Sequence, residues 1–278
     1  MAGKTYPKPK SPQEYLVQGC DRPWEVEIAP FRVSPNVYYV GNNWVGGYLI
    51  RTDEGLMLID TTMHAQIYLL LESIRQLGFD PRDIKMILVT HGHYDHHGGV
   101  RPIAEYTGAK VFFPKEDEYM LTEQPELQFT LGYACGEFEI DEYYADNKPI
   151  TLGHVTVHTV HTPGHTAGTT SMFIEDRDEN GKSFVVGLHG GVGLGSVTDA
   201  YFEEYGQPKS LQDDYLASLH KLRGRKVDIA VALHPSHLGM FEKIGEDRLD
   251  FTPFHDPSVW EAFIDHRIKL FEDMKAAS

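Results

Sequence analysis

The chain has 278 residues, 41% hydrophobic and 24% charged, a composition typical of a globular protein with enough length for a full core. Its 41 acidic residues against 25 basic ones give a formal net charge of −16. Such a surface repels phosphate backbones and anionic lipid headgroups, so we expect neither nucleic acid nor a membrane as a partner. No apolar run approaches the ~20 residues that a membrane-spanning helix needs.

Cysteine usage and the N-terminal composition indicate the compartment. Cys20 and Cys135 are too far apart for a CxxC-type metal site and too few for a disulfide framework. Residues 1–12 are polar and lack the apolar segment of a secretory signal. We therefore expect two free thiols and a cytoplasmic protein. The alternative is a periplasmic or secreted protein from which a leader has been removed.

The predicted elements alternate along the chain. Residues 1–29 are expected to form a mobile start and a covering segment, because prolines break any long element there. Apolar runs and turn residues predict strands at 37–40, 47–50, 56–59, 86–89, 110–113, 155–160, 169–174, 184–186 and 227–233. Apolar residues at helical spacing predict helices at about 67–77, 100–106, 211–222 and 258–274.

This alternation predicts an α/β (α+β) architecture, with two sheets packed together and helices outside. No stretch is rich enough in Gly, Ser or Pro to act as a linker between domains. We therefore expect one domain over residues 1–278.

The segment THGHYDHHGG, residues 90–99, carries the strongest chemical signal. Four imidazoles and a carboxylate lie within seven residues, directly after a predicted buried strand, and such residues rarely serve as packing. Histidines at i and i+2 of an extended segment point the same way, and zinc binds imidazole and carboxylate donors well. The segment therefore predicts a metal site; the alternative is a solvated histidine-rich loop.

Here the chain resembles the metallo-β-lactamase superfamily, whose signature is HxHxDH. HTPGHT at residues 161–166 is similar to the family's TPGHT-type loop, and LMLID at residues 56–60 is similar to its strand ending in a buried Asp. His234, after the predicted strand 227–233, falls where a last metal-binding His is expected. The resemblance covers about residues 30 to 240 and implies an αββα four-layer sandwich.

The resemblance also implies a dinuclear zinc site. His91, His93 and His165 would hold the first ion, and Asp95, His96 and His234 the second. Three protein ligands with an open position are the catalytic arrangement of zinc. A hydroxide formed from water between the ions would be the nucleophile, and Asp95 would orient it and pass its proton to the leaving group.

Further residues are expected around the metals. Asp60 would orient a ligand or the loop from behind, and His97 would lie beside the ligands without binding metal. Candidate substrate-pocket residues are Trp44, His189, Ser196 and His237. The remaining histidines carry no spacing signal and are interpreted as ordinary structural or surface residues.

One stretch separates the branches of the family. Glyoxalase-type hydrolases, lactonases and RNA-processing members have a strand that ends in Gly-Asp, whose Asp bridges the metals. Residues 184–191 read FVVGLHGG, with His189 in or near that position. Third-subclass class B β-lactamases also lack the bridging Asp and any zinc-binding Cys. The chain is most similar to that subclass, which implies hydrolysis of a small cyclic amide such as a β-lactam.

Several alternatives stay open from the sequence. The same metals could serve a hydrolase of a lactone, a thioester or another ester. An iron-dependent oxygenase or redox enzyme of this fold is a further alternative, although diiron reductases carry Glu where this chain has His93. His189 could bond a water, donate to substrate, ligate metal or have no role. The expected partner is a small-molecule substrate, and the oligomeric state is left open.

Overall fold

A computed structural model describes residues 8–277. The strands are β1 Phe31–Ser34, β2 Val37–Tyr39, β3 Tyr48–Thr52, β4 Gly55–Ile59, β5 Ile84–Leu88, β6 Lys110–Phe113, β7 Glu142–Tyr143, β8 Ile150–Leu152, β9 Val155–His161, β10 Thr170–Arg177, β11 Ser183–Leu188 and β12 Ile229–Val231. The α-helices are α1 Pro12–Asp21, α2 Ile67–Gln76, α3 Tyr94–His97, α4 Val100–Thr107, α5 Glu118–Thr122, α6 Asp199–Tyr205, α7 Ser210–Leu222 and α8 Ser258–Ala277.

The strands form two mixed sheets. The first has the order β1-β2-β3-β4-β5-β6-β7, antiparallel from β1 to β4 and parallel from β4 to β7. The second has the order β12-β11-β10-β9-β8, with only the β11–β12 pair parallel. Parallel neighbours bring their carboxyl ends to one edge, where loops can converge on a site.

Three apolar clusters hold the layers together. One lies between the sheets and includes Tyr48 and Leu88 of the first and Val157 of the second. Another packs the outer face of the first sheet against α2 and α4. The third packs the outer face of the second sheet against α7 and α8, where Trp260 is 1% exposed. The result is the αββα four-layer sandwich that the sequence predicted.

Strand β5 shows why a continuous apolar run marks a strand covered on both faces. Successive side chains of a strand alternate between the two faces. Ile87 accordingly joins the cluster beneath α2 and α4, while Leu88 joins the cluster between the sheets. Both side chains are fully buried.

The N-terminal segment departs from the prediction. Ten residues form α1, despite the prolines that were expected to break any long element. Pro12 stands in the first turn, where a missing N–H costs nothing, and the Ser11 hydroxyl accepts from Glu14 N at 3.2 Å. The helix packs through Leu16 against Val45 and Tyr94. The predicted mobile start includes residues 1–7, which lie outside the described residues.

The strand predicted at 227–233 is shorter than expected, since only Ile229–Val231 pair with β11. Residues 232–234 lie outside the strand, where Ala232 O accepts from the Tyr48 hydroxyl at 2.6 Å and Leu233 O accepts from Gly46 N at 2.6 Å. Within residues 8–277, none of the helices has the length and apolarity to cross a bilayer.

Candidate metal centre

Two groups of three donors meet at the loop edge of the sandwich. The first group is His91, His93 and His165, and the second is Asp95, His96 and His234. In each group, one nitrogen or carboxylate oxygen per residue lies within 4.8 Å of the others. These are the two sets that the sequence analysis named. They come from three separate parts of the chain: the loop after β5 with α3, the loop after β9, and the loop after β12.

The first group is compact, with His91 and His93 buried and His165 partly buried. Nε2 of His91 lies 3.1 Å from Nδ1 of His93. The ring centroid of His165 is 4.9 Å from that of His91 and 4.7 Å from that of His93. His91 and His93 flank a single glycine of the extended loop, so both side chains leave its same face.

The second group is built around a carboxylate. Oδ2 of Asp95 lies 3.4 Å from Nε2 of His96 and 3.5 Å from Nε2 of His234. Asp95 and His96 are adjacent in α3, a single helical turn that follows the extended His91–His93 stretch. The change from extended chain to helical turn directs Asp95 and His96 to the second group, whereas His91 and His93 of the same motif belong to the first.

Most of these imidazoles are anchored through the ring nitrogen that faces away from the group. Nδ1 of His165 donates to Gly193 O at 2.8 Å, and Nδ1 of His234 donates to Trp44 O at 2.9 Å. Nδ1 of His96 donates to Oδ2 of Asp60 at 2.9 Å. Each bond places the proton on Nδ1 and leaves Nε2 with a free lone pair, which is the form that binds a metal.

Asp60 reaches both groups from beneath. It is fully buried at the end of β4, and it accepts from Thr90 N and from the Thr90 hydroxyl, each at 2.8 Å. Because that hydroxyl donates to Asp60, it can accept the Nδ1–H of His91, 3.0 Å away. One carboxylate therefore contacts His96 directly and His91 through Thr90.

The surroundings favour the neutral form of four of the five imidazoles. Burial and the neighbouring imidazoles lower the pKa of His91 and His93 well below the ordinary value, and burial lowers the pKa of His165 to about 4. Burial also lowers the pKa of His234. For His96, burial acts in the same direction, but the Asp95 and Asp60 carboxylates outweigh it and raise the pKa.

A small cavity of about 30 Å³ lies against both groups on the side of the second sheet. His189 and His237, two predicted pocket residues, line it together with Phe263 of α8. His189 is buried; its Nδ1 accepts from Gly191 N at 3.2 Å, and its Nε2 has no hydrogen-bond partner among the described residues. It belongs to neither donor group.

The other two predicted pocket residues lie elsewhere. The Trp44 ring is half-buried, 5.1 Å from the His234 ring, and stacks on Tyr15 of α1. Ser196 lies behind His165, with its hydroxyl 3.0 Å from Nδ1 and 2.6 Å from the carbonyl oxygen of that residue. Ser196 therefore contacts a donor and is not among the residues that line the cavity.

Sequence reasoning missed several residues of the site. Thr90 gave no signal of its own, although it stands directly before the motif. Phe129 lies 5.1 Å from the His93 ring with its backbone at φ +56°, a conformation that the sequence does not reveal. Asp117, buried between two of the site loops, was also missed.

His97, which was expected beside the ligands, belongs to neither donor group. Its Nδ1 lies 3.7 Å from the Cys135 thiol.

Comparison with known proteins gives the same family from sequence and from structure. The family model described as the metallo-β-lactamase superfamily matches residues 47–178. The fold is similar to the crystal structure of BJP-1, a subclass B3 metallo-β-lactamase of Bradyrhizobium japonicum, with a TM-score of 0.79 and 28% identity over 93% of this chain and 97% of that one. It is also similar to LRA-12, a class B3 di-zinc metallo-β-lactamase from an Alaskan soil metagenome, with a TM-score of 0.78 and 27% identity over 90% and 96% of the two chains.

Curated relatives match over shorter stretches. The chain is 28% identical to the N-acyl homoserine lactonase AttM of Rhizobium radiobacter over 55% of this chain and 57% of that protein. This chain spans about half the length of the curated relatives it matches. For an uncharacterized protein of Mycobacterium leprae, for example, the match covers 44% of that protein. The motif, the layers and the B3 structures thus agree with the family-model match in making this chain similar to the metallo-β-lactamase superfamily.

Proposed function

We propose that this protein is a dinuclear zinc-dependent hydrolase that opens small cyclic amides of the β-lactam kind. The observation that carries the proposal is the pair of three-donor groups at one loop edge. A metal ion with three protein ligands keeps a position for water or substrate, as catalytic zinc sites do.

The donor atoms fit a divalent cation. Nε2 of His96 and Nε2 of His234 each carry a free lone pair, because Nδ1 of each ring donates to protein oxygen. Both lone pairs face Oδ2 of Asp95 at about the same distance, 3.4 and 3.5 Å. When both rings are neutral, two lone pairs and an anion that converge in this way are stabilised by a cation between them. Imidazole nitrogen and carboxylate oxygen are zinc donors.

Zinc at these two groups would polarise a substrate carbonyl and make water nucleophilic near neutral pH. The chain's own residues then do the positioning. Asp60 fixes the rings of His96 and His91, and Trp44 O fixes the ring of His234. Asp95 is the one carboxylate among the six donors, so it is the residue suited to hold a proton and pass it to the leaving nitrogen.

The surroundings of the donors favour a compact, partly apolar substrate. The half-buried ring of Trp44 lies beside His234, and the half-buried ring of Phe129 lies beside His93, each at a centroid distance of 5.1 Å. The two donor groups thus lie between two aromatic faces. The similarity to B3 β-lactamases over nearly the whole chain supports a β-lactam as the cyclic amide.

A second candidate substrate is a lactone, because AttM, a relative over 55% of this chain, is named an N-acyl homoserine lactonase. His189, where lactonase-type members carry a bridging Asp, favours the amide over the lactone.

The direct test is hydrolysis by the zinc-loaded protein of a chromogenic cephalosporin and of an N-acyl homoserine lactone, measured side by side. We expect a higher kcat/KM for the cephalosporin. Turnover of the lactone alone would replace the amide with the second candidate, and turnover of neither would contradict both.

A further inference from the structure

Asp117 is a fully buried carboxylate that the proposed reaction does not use. It ends a short 3₁₀ turn, Lys115–Asp117, that follows β6 and leads into α5. Its side chain lies between two loops of the metal centre, one following β5 and the other joining β9 to β10.

Three donors from those loops bond the Asp117 carboxylate. Oδ2 accepts from Gly92 N at 2.9 Å and from the Thr166 hydroxyl at 2.7 Å. Oδ1 accepts from Gly168 N at 2.6 Å. Hydrogen bonds to an ionised carboxylate are among the stronger ones in proteins.

Two of these donors are next to members of the first group, and the third, Gly168, lies three residues after His165. Gly92 separates His91 from His93, and Thr166 follows His165. The three bonds therefore connect the two chain segments that supply all three imidazoles of that group.

The local sequence makes room for the carboxylate. A Cβ at Gly168 would lie 2.7 Å from Cγ of Asp117, closer than real Cβ contacts, and a Cβ at Gly92 would lie 3.3 Å from Cβ of Asp117. The central residue of the His-x-His motif is thus small where Asp117 and Met120 approach it.

The second group is held by different residues. His96 is bonded to Asp60, and His234 is bonded to Trp44 O. Asp117 forms its side-chain hydrogen bonds only with Gly92, Thr166 and Gly168 among the described residues. The hydrogen bonds of Asp117 therefore reach the first group and not the second.

We propose that Asp117 is a positioning residue that clamps the β5 and β9–β10 loops together, and so sets the affinity of the first metal site without affecting the second. The inference rests on the proposed function only in taking both groups as zinc sites. Partners of this kind typically change metal affinity by roughly 10- to 100-fold.

The test measures zinc binding to each site alone. His234→Ala leaves only the first group intact, and His165→Ala leaves only the second. Asp117→Asn is introduced into both backgrounds, because the amide keeps the size of the side chain but has only one acceptor oxygen for three donors. Zinc affinity is measured by competition with a chromophoric chelator. We expect it to fall roughly 10- to 100-fold in the His234→Ala background and to be unchanged in the His165→Ala background.

Asp176 provides a matched control. It is 3% exposed near the far end of β10, and it accepts from the Ser34 hydroxyl at 2.6 Å, from Asn36 N at 2.9 Å and from Asn36 Nδ2 at 2.7 Å. Asp176→Asn removes comparable bonds between elements away from the metal centre. It should leave zinc affinity unchanged in both backgrounds.

Thr166 gives a second route if Asp117→Asn fails to fold. Thr166→Val removes one of the three donors and should weaken the first site, whereas Thr166→Ser keeps the hydroxyl and should restore it. Equal zinc affinity in the valine and serine variants would overturn the proposal.

Two further results would overturn it. One is wild-type affinity of the first site in Asp117→Asn. The other is an equal loss at both sites that Asp176→Asn reproduces, since this indicates general destabilisation. Because zinc binding is the readout, a wild-type protein that binds two ions but hydrolyses no substrate would refute the proposed function and leave this inference standing.

Discussion

Nδ1 of His96 donates to Oδ2 of Asp60 at 2.9 Å. Asp60 also accepts a hydrogen bond from the Thr90 hydroxyl, which in turn contacts Nδ1 of His91. A single buried side chain thus supports one donor of each group. Asp60 stands at φ +56°, a left-handed conformation that Asp and Asn tolerate better than most residues.

Asp60→Asn should therefore retain the backbone conformation but lose part of the hydrogen bonding that orients the donors. One acceptor oxygen cannot serve Thr90 N, the Thr90 hydroxyl and His96 together. We expect zinc affinity at both sites to fall roughly 10- to 100-fold, measured by chelator competition. Asp53→Asn, at an exposed carboxylate that bonds His154, is the control. Unchanged affinity in Asp60→Asn would show that the hydrogen bonds to Asp60 do not orient the donors.

His93→Ala removes a donor of the first group. Because loss of a supporting residue alone costs ~10–100-fold, loss of a donor should lower kcat/KM by more than ~100-fold. The fold should persist, as judged by circular dichroism. His158→Ala, at a surface imidazole paired with Glu175, should retain activity. Activity surviving in His93→Ala would remove this residue from the proposed site.

Asp117 makes the stability of the metal-free protein depend on pH. Burial raises the pKa of its carboxyl from 3.8 to about 6. The folded state therefore binds the proton more tightly than the unfolded state, and this contribution to stability is lost as pH rises through about 6. Relative to Asp117→Asn, the wild type should lose about 2 kcal/mol of unfolding free energy between pH 4.5 and pH 7, at about 1.4 kcal/mol per pKa unit.

Urea unfolding of both proteins in the presence of a chelator, at several pH values, measures that difference. The comparison with Asp117→Asn cancels the titration of all other groups. A constant difference between the two proteins across this range contradicts the assignment.

The ring and the backbone of Trp44 have different proposed roles: the ring contacts substrate, and the carbonyl oxygen supports His234. Its carbonyl oxygen, which holds His234, stays in any variant, while its ring is removed in Trp44→Ala. An aromatic contact is worth about 0.5–1.5 kcal/mol, so KM for the cephalosporin should rise roughly 2- to 13-fold with zinc content unchanged. Trp44→Phe should lie near the wild type. Loss of zinc in Trp44→Ala would show that the ring supports His234 instead of the substrate.

Local patterns accounted for much of the fold. The run after Lys85 predicted a strand covered on both faces, and the spacing from Ile67 predicted α2, because burial imposes these periods directly on the sequence. Helix α1 was missed because prolines were taken only as breakers, although Pro12 occupies a position that favours a helix start.

The donor set could be named because the motif supplies four of its six residues within six positions. The supports could not be named in the same way. Thr90, Gly193 and Asp117 matter through contacts with distant parts of the chain, and neither their types nor their spacing shows those contacts. Asp117 left one weak signal: like Asp60, it is an acidic residue shortly after a strand of the parallel part of the first sheet.

The proposed function requires that the six donors form two separate three-ligand zinc sites. Elemental analysis of the purified wild type, His165→Ala and His234→Ala after zinc loading and dialysis tests it most directly. We expect two zinc ions per wild-type chain, one for each group, and one ion in each variant. A single ion in the wild type, or loss of every ion in both variants, would contradict it.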